Sequence, residues 1–73
     1  MIKLLEVVAL TEDLPDRKLA QGQVGTVVEL LAPGVYEVEF SDDEGQTYAS
    51  LAVRAELLMV LHYTPVEAHP VLG

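Results

Sequence analysis

The chain has no cysteine and only four lysines and arginines against twelve aspartates and glutamates. Without cysteine, neither a disulfide framework nor a thiolate metal site can reinforce the fold. The shortage of basic side chains argues against a nucleic-acid partner, because phosphate neutralisation by Lys and Arg supplies most non-specific affinity. No apolar run approaches the roughly 20 residues that a membrane-spanning helix needs, so no membrane partner is expected. Apolar residues at sustained helical spacing are missing too, as are internal repeats and low-complexity tracts. The apolar opening, residues 1–10, is interrupted by Glu6, and Glu12 and Asp13 stand where a signal peptide would have small residues for cleavage. A first strand and a cytoplasmic protein are therefore expected.

What is there is a 73-residue chain that is 51% apolar and carries a formal net charge of -8. That apolar share is too high for the disordered class, so the chain folds, as one small domain with its acids on the surface. A domain of this size buries only about 60% of the surface that its unfolded chain exposes, and its core is correspondingly small. The negative charge keeps such a domain soluble, and it also steers encounter with a basic protein.

Valine is abundant and turn residues recur at short intervals, which is an all-β pattern. The first strand is expected over residues 4–10, followed by a long polar loop over 11–21 that contains Pro15. The second and third strands, residues 22–31 and 35–40, are separated by Ala32, Pro33 and Gly34, where Pro presets φ and Gly supplies a positive φ. With those three residues as the loop, Leu31 faces Val35, Leu30 faces Tyr36, Glu29 faces Glu37 and Val28 faces Val38. One face then collects Thr26, Val28, Leu30, Tyr36, Val38 and Phe40. A two-residue loop would pair Glu29 with Val38 and Leu30 with Glu37, placing carboxylates among these apolar residues, so the hydrophobic pattern rejects it. Asp42, Asp43, Glu44 and Gly45 make the next turn, with Gly45 in the left-handed position. A fourth strand over 46–54 places Phe40 opposite Thr47, Val38 opposite Ala49 and Tyr36 opposite Leu51. Ala55, Glu56 and Leu57 are too few for an α-helix but fit one 3₁₀ turn, and residues 58–62 make a short last strand.

This order of elements is that of a small five-stranded SH3-like β-barrel with one 3₁₀ turn before the last strand. The expected division is a barrel domain over residues 1–63 and an extended C-terminal tail over 64–73, which contains Pro65 and Pro70. The alternative is an open antiparallel meander. It would leave Val7, Val8, Val27 and Leu31 poorly covered, and closure would also limit the exposed edge.

At Asp13 to Pro15 (DLP), Gly22 to Glu29 (GQVGTVVE), Gly34 to Phe40 (GVYEVEF), Thr47 to Ala49 (TYA) and Leu58 to Leu61 (LMVL), the chain resembles a family of short bacterial proteins. That family is catalogued as a domain of unknown function, with members frequent in cyanobacteria. The resemblance implies an SH3-like barrel with no assigned chemistry, and through relatives encoded beside toxin-like partners it implies an antitoxin or immunity-type role. A more distant similarity, through Gly22, Gly25, Thr26 and Val27, is to the KOW-type barrels of transcription and ribosomal proteins. It would imply RNA binding, for which the basic residues are missing; glycine before a β-branched strand equally suits a tightly bent barrel strand.

The expected register gathers Glu29, Glu37 and Glu39 on the outer sheet face with Tyr48, Val27 and Ser50. Glu29 directly opposite Glu37 costs about 0.2 to 1 kcal/mol in a sheet. The arrangement fits a docking face for a basic partner, with Tyr48 supplying apolar contact, as well as it fits a solvated face of an acidic protein. Asp42, Asp43 and Glu44 lack the spacing of a calcium loop, and His62 and His69 have no second ligand at a metal spacing. No nucleophile is paired with an oriented base, and a barrel filled by its own side chains leaves no pocket to retune paired carboxylates. No metal, no cofactor and no catalytic residue is expected, and the chain is not read as an enzyme. Asp13, Leu14 and Pro15 could form a binding edge, or cap the barrel with Leu14 and Leu19 tucked beneath. The leading expectation is a protein-binding module, antitoxin-like or regulatory. The alternatives are a self-associating structural subunit that completes its core in a homodimer and, third, a KOW-like RNA binder.

Overall fold

A computed structural model describes residues 2–62. The expected tail over 64–73, and His69 with it, lies outside the described residues. Five strands run β1 (Val7–Leu10), β2 (Val24–Ala32), β3 (Val35–Ser41), β4 (Thr47–Arg54) and β5 (Leu58–Val60). They form one antiparallel sheet in the order β4-β3-β2-β1-β5. A 3₁₀ turn occupies Ala55–Leu57, immediately before β5, as the sequence indicated. A second one, Pro15–Arg17, breaks the long loop after β1.

The expected closure is not formed: β4 and β5 are the two ends of the hydrogen-bonded order, so the sheet is not a closed barrel. The apolar residues find cover by another route. One face carries Val8, Leu10, Val27, Tyr36, Val38, Phe40, Leu51, Val53 and Leu58 into a single buried cluster, to which every strand contributes. Leu19 from the loop joins the cluster, and Ile2, Leu14, Ala55 and Leu57 pack against it. The loop thus caps the core, with Leu14 and Leu19 bridged to each other. Asp13 is spent in holding the loop, its carboxylate accepting from the Gln21 N–H at 2.8 Å. Val8 and Val27, which an open sheet was expected to expose, have no accessible surface, whereas Leu31 is exposed.

The β2–β3 hairpin departs from the expected register in an instructive way. Ala32 pairs with Val35, so the turn is the two residues Pro33 and Gly34, with Gly34 at φ 75°. Pro followed by a positive-φ Gly is a sound pair of central turn residues. The expected pairs Leu30 with Tyr36 and Glu29 with Glu37 are present nonetheless, because Leu31 is an extra, bulged residue that absorbs the shorter turn. A second irregularity leaves Val28 unpaired, and beyond it Val27 pairs with Val38 and Gly25 with Phe40. The face is therefore corrected past the bulge. Val27 is in the core, while Val28 and Thr26 are half-buried and Leu30 is exposed. A bulge bends its strand and increases the local twist, and two on β2 help one sheet fold over its own apolar face.

Between β3 and β4 the pairing is Phe40 with Ala49, Val38 with Leu51 and Tyr36 with Val53. This is a slip of two residues from the expected register, and an even slip keeps every side chain on its expected face. The turn itself is held by Asp42, whose carboxylate oxygen accepts from the N–H groups of Glu44 and Gln46, both at 2.9 Å. Gly45 takes the left-handed conformation expected of it, at φ 81°.

Candidate functional site

The outer face of β2, β3 and β4 assembles the three glutamates. Glu29 and Glu37 are cross-strand partners, and Glu39 follows on the same face of β3, one pleat repeat along. Glu39 stands opposite Ser50 and Glu37 opposite Ala52 on β4. The Ser50 hydroxyl donates to the Glu37 carboxylate across the diagonal at 2.6 Å. Among the described residues the one ion pair joins Arg54 to Glu56 at 3.2 Å, both well exposed, so it contributes little to stability. None of the three glutamates takes part in it. Among the described residues no lysine or arginine pairs with them, which leaves the face available to an incoming cation.

Tyr48 is placed differently from the expectation. It is the bulged residue between the Ser41–Thr47 and Phe40–Ala49 pairs, and its hydroxyl accepts from the Gln23 side-chain amide at 2.7 Å. With Gln23, Ser41, Asp42, Asp43 and Glu44 it lines a shallow cleft of about 520 Å³ at the hairpin end of the sheet. The acidic face and the tyrosine are thus neighbouring features with different partners. Gln23 carries no signal in the sequence, because a single polar residue near the start of an expected strand does not announce its partner.

A family model described as a domain of unknown function, DUF4926, matches residues 4–60. The chain belongs to that family. No curated protein and no solved structure matches it significantly. The matched span of this DUF4926 chain holds all five strands and the three glutamates. Among its described residues no helix is long and apolar enough to cross a membrane. No group of three or more His, Asp and Glu side chains able to hold a metal ion occurs among them.

A second surface escaped the sequence reading. Val24 on β2, Ala9 on β1 and Met59 on β5 are in register across three strands on the outer face. Val24 and Met59 are 45% and 53% exposed, whereas Ala9 is covered between them. The sequence signal was weak, because Met59 sits in a five-residue apolar run, Leu57 to Leu61, whose alternation cannot be read.

Proposed function

We propose that this chain is a non-catalytic, cytoplasmic protein-binding module of bacteria that docks a basic partner on the outer sheet face carrying Glu29, Glu37 and Glu39, in a regulatory or antitoxin-like role. The observation that carries the reading is the in-register pair Glu29 and Glu37, extended by Glu39, with no lysine or arginine paired with them among the described residues. Like charges directly opposite in a sheet cost stability, and a cationic partner converts that cost into binding. The net charge of -8 adds steering over a longer range.

The test is the double substitution Glu37→Lys and Glu39→Lys. Both side chains lie on the outer face, so the variant is expected to fold like the parent while capture of basic proteins from host lysate falls about tenfold or more at physiological salt. Undiminished capture by the folded variant excludes the face as the docking site.

The Val24, Ala9 and Met59 row favours a second reading, a homodimer that covers this strip. Light scattering after size exclusion is expected to give twice the chain mass at high micromolar concentration, and Met59→Lys to return the monomer. A strict monomer at that concentration removes the second reading.

A further inference from the structure

β4 is an edge strand of eight residues, with its far side unpaired among the described residues. The phase of its backbone follows from the Ala55 N–H, which donates to the Gly34 carbonyl at 2.8 Å. In an antiparallel ladder hydrogen-bonded and non-hydrogen-bonded pairs alternate. The odd-numbered residues Ala49, Leu51 and Val53 therefore bond to β3. Ser50 and Ala52 turn their N–H and C=O groups toward the free edge. Both are exposed, and among the described residues nothing covers them.

Natural edges are protected by proline, lysine or inward-pointing charge. β4 has none of these along its centre: its outward side chains there, Ser50 and Ala52, are small, and its one cation, Arg54, stands at the end and is paired with Glu56. Behind Ser50 and Ala52, one strand further in, stand their cross-strand partners Glu39 and Glu37. Strands in a sheet lie about 4.8 Å apart, so a strand added at this edge would run roughly 10 Å from β3. A lysine or arginine on it, directed over Ser50 or Ala52, reaches the carboxylates behind. Large side chains at 50 and 52 would have blocked that path.

We propose that the β4 edge takes up an extended segment of a basic protein as a sixth strand, with Lys or Arg at alternate positions lying over Ser50 and Ala52 to meet Glu39 and Glu37. This rests on the acidic-face reading and adds the mode of binding. Main-chain bonds to residues 50 and 52 supply affinity, and the alternate side chains supply selectivity. The intervening positions of the segment face the side of the sheet that holds Leu51 and Val53, which calls for apolar residues there. The partner signature is a basic–apolar alternation over five to seven residues.

The probes are the heptapeptide Thr-Lys-Val-Lys-Val-Lys-Thr, the same peptide N-methylated at alternate backbone nitrogens in each of the two phases, and a version with Glu for Lys. Each is titrated into the full-length ¹⁵N-labelled chain, following amide shifts and hydrogen exchange. The lysine peptide is expected to bind and to slow exchange at the Ser50 and Ala52 amides, with one of the two N-methylated peptides at least about tenfold weaker. The glutamate peptide is expected not to bind. Equal binding of the lysine peptide and both N-methylated forms, without protection at 50 and 52, overturns strand addition while leaving the acidic face standing. Binding of the glutamate peptide with edge protection overturns the basic partner, and with it the acidic-face reading. No shift with the lysine peptide at millimolar concentration overturns the proposal outright.

Discussion

Replacing Phe40 with Ala is expected to leave the domain largely unfolded in water at room temperature. Phe40 is the largest of the fully buried side chains among the described residues and the only phenylalanine in the chain. It sits mid-sheet on β3, between Gly25 of β2 and Ala49 of β4, so the ring covers two positions whose own side chains are minimal. Truncating such a residue removes its transfer free energy and leaves a cavity, together about 3–5 kcal/mol. A single core of this size supplies no more than about 3–5 kcal/mol of net stability. Loss and reserve are therefore comparable. Far-ultraviolet circular dichroism with a urea titration checks this: the parent should show one cooperative transition and the variant little or none. A cooperative transition shifted by less than about 1.5 kcal/mol would mean that the core is centred elsewhere. Phe40→Leu, which keeps much of the volume, is expected to stay folded with an intermediate loss.

The same residues show what could be read in advance. The turns were legible because each rests on a residue with one physical advantage there: Gly34 and Gly45 at positive φ, Pro33 with φ preset, and Ala55–Leu57 as a short polar-flanked link before Leu58. The buried face of β3 and β4 was legible because Tyr36, Val38, Phe40, Leu51 and Val53 alternate cleanly with Glu37, Glu39, Ser50 and Ala52. The β2 face was not. Val27 and Val28 are equally apolar and β-branched, so alternation carried back from Glu29 places Val28 inward, and only the bulge puts Val27 there. The opening of the chain misled in the same way. Leu4 and Leu5 look like strand, but Glu6 turns the chain back, its side chain accepting from the Lys3 N–H and its own N–H bonding the Lys3 carbonyl. Leu5 is left at φ 69° with 74% of its surface exposed. For the candidate site the pair Glu29 and Glu37 was legible because the Leu31 bulge offsets the shorter turn and restores the expected pairing, and Glu39 follows Glu37 by the alternation of β3. Tyr48 stands further along β4 from Glu39 than the expected register puts it, because the bulge that carries it is a property of the turn and not of any residue preference.

Gly25→Ala is the second change expected to have a large effect, and its sign is the reverse of the usual one. Where backbone geometry is ordinary, replacing Gly by Ala stabilises by about 0.4–1 kcal/mol through the unfolded chain. Gly25 is not among the glycines with positive φ, so its backbone raises no objection. Space does. A Cβ built there lies 2.7 Å from Val38 Cγ1, 2.8 Å from the Glu39 carbonyl oxygen and 2.9 Å from Phe40 Cδ1. Two of these belong to fully buried side chains, and the carbonyl belongs to the ladder that pairs β2 with β3. Relief therefore requires β2 and β3 to separate locally at residue 25. Overpacking of this kind costs about 1–3 kcal/mol, which urea denaturation resolves easily. The double variant with Phe40→Leu separates the two sources of strain. If the ring were the obstacle, Gly25→Ala would cost little in the Phe40→Leu background. The Val38 and Glu39 contacts predict instead that more than half of the loss persists there, and persistence would show that these contacts, not the ring, limit how closely β2 and β3 approach at residue 25.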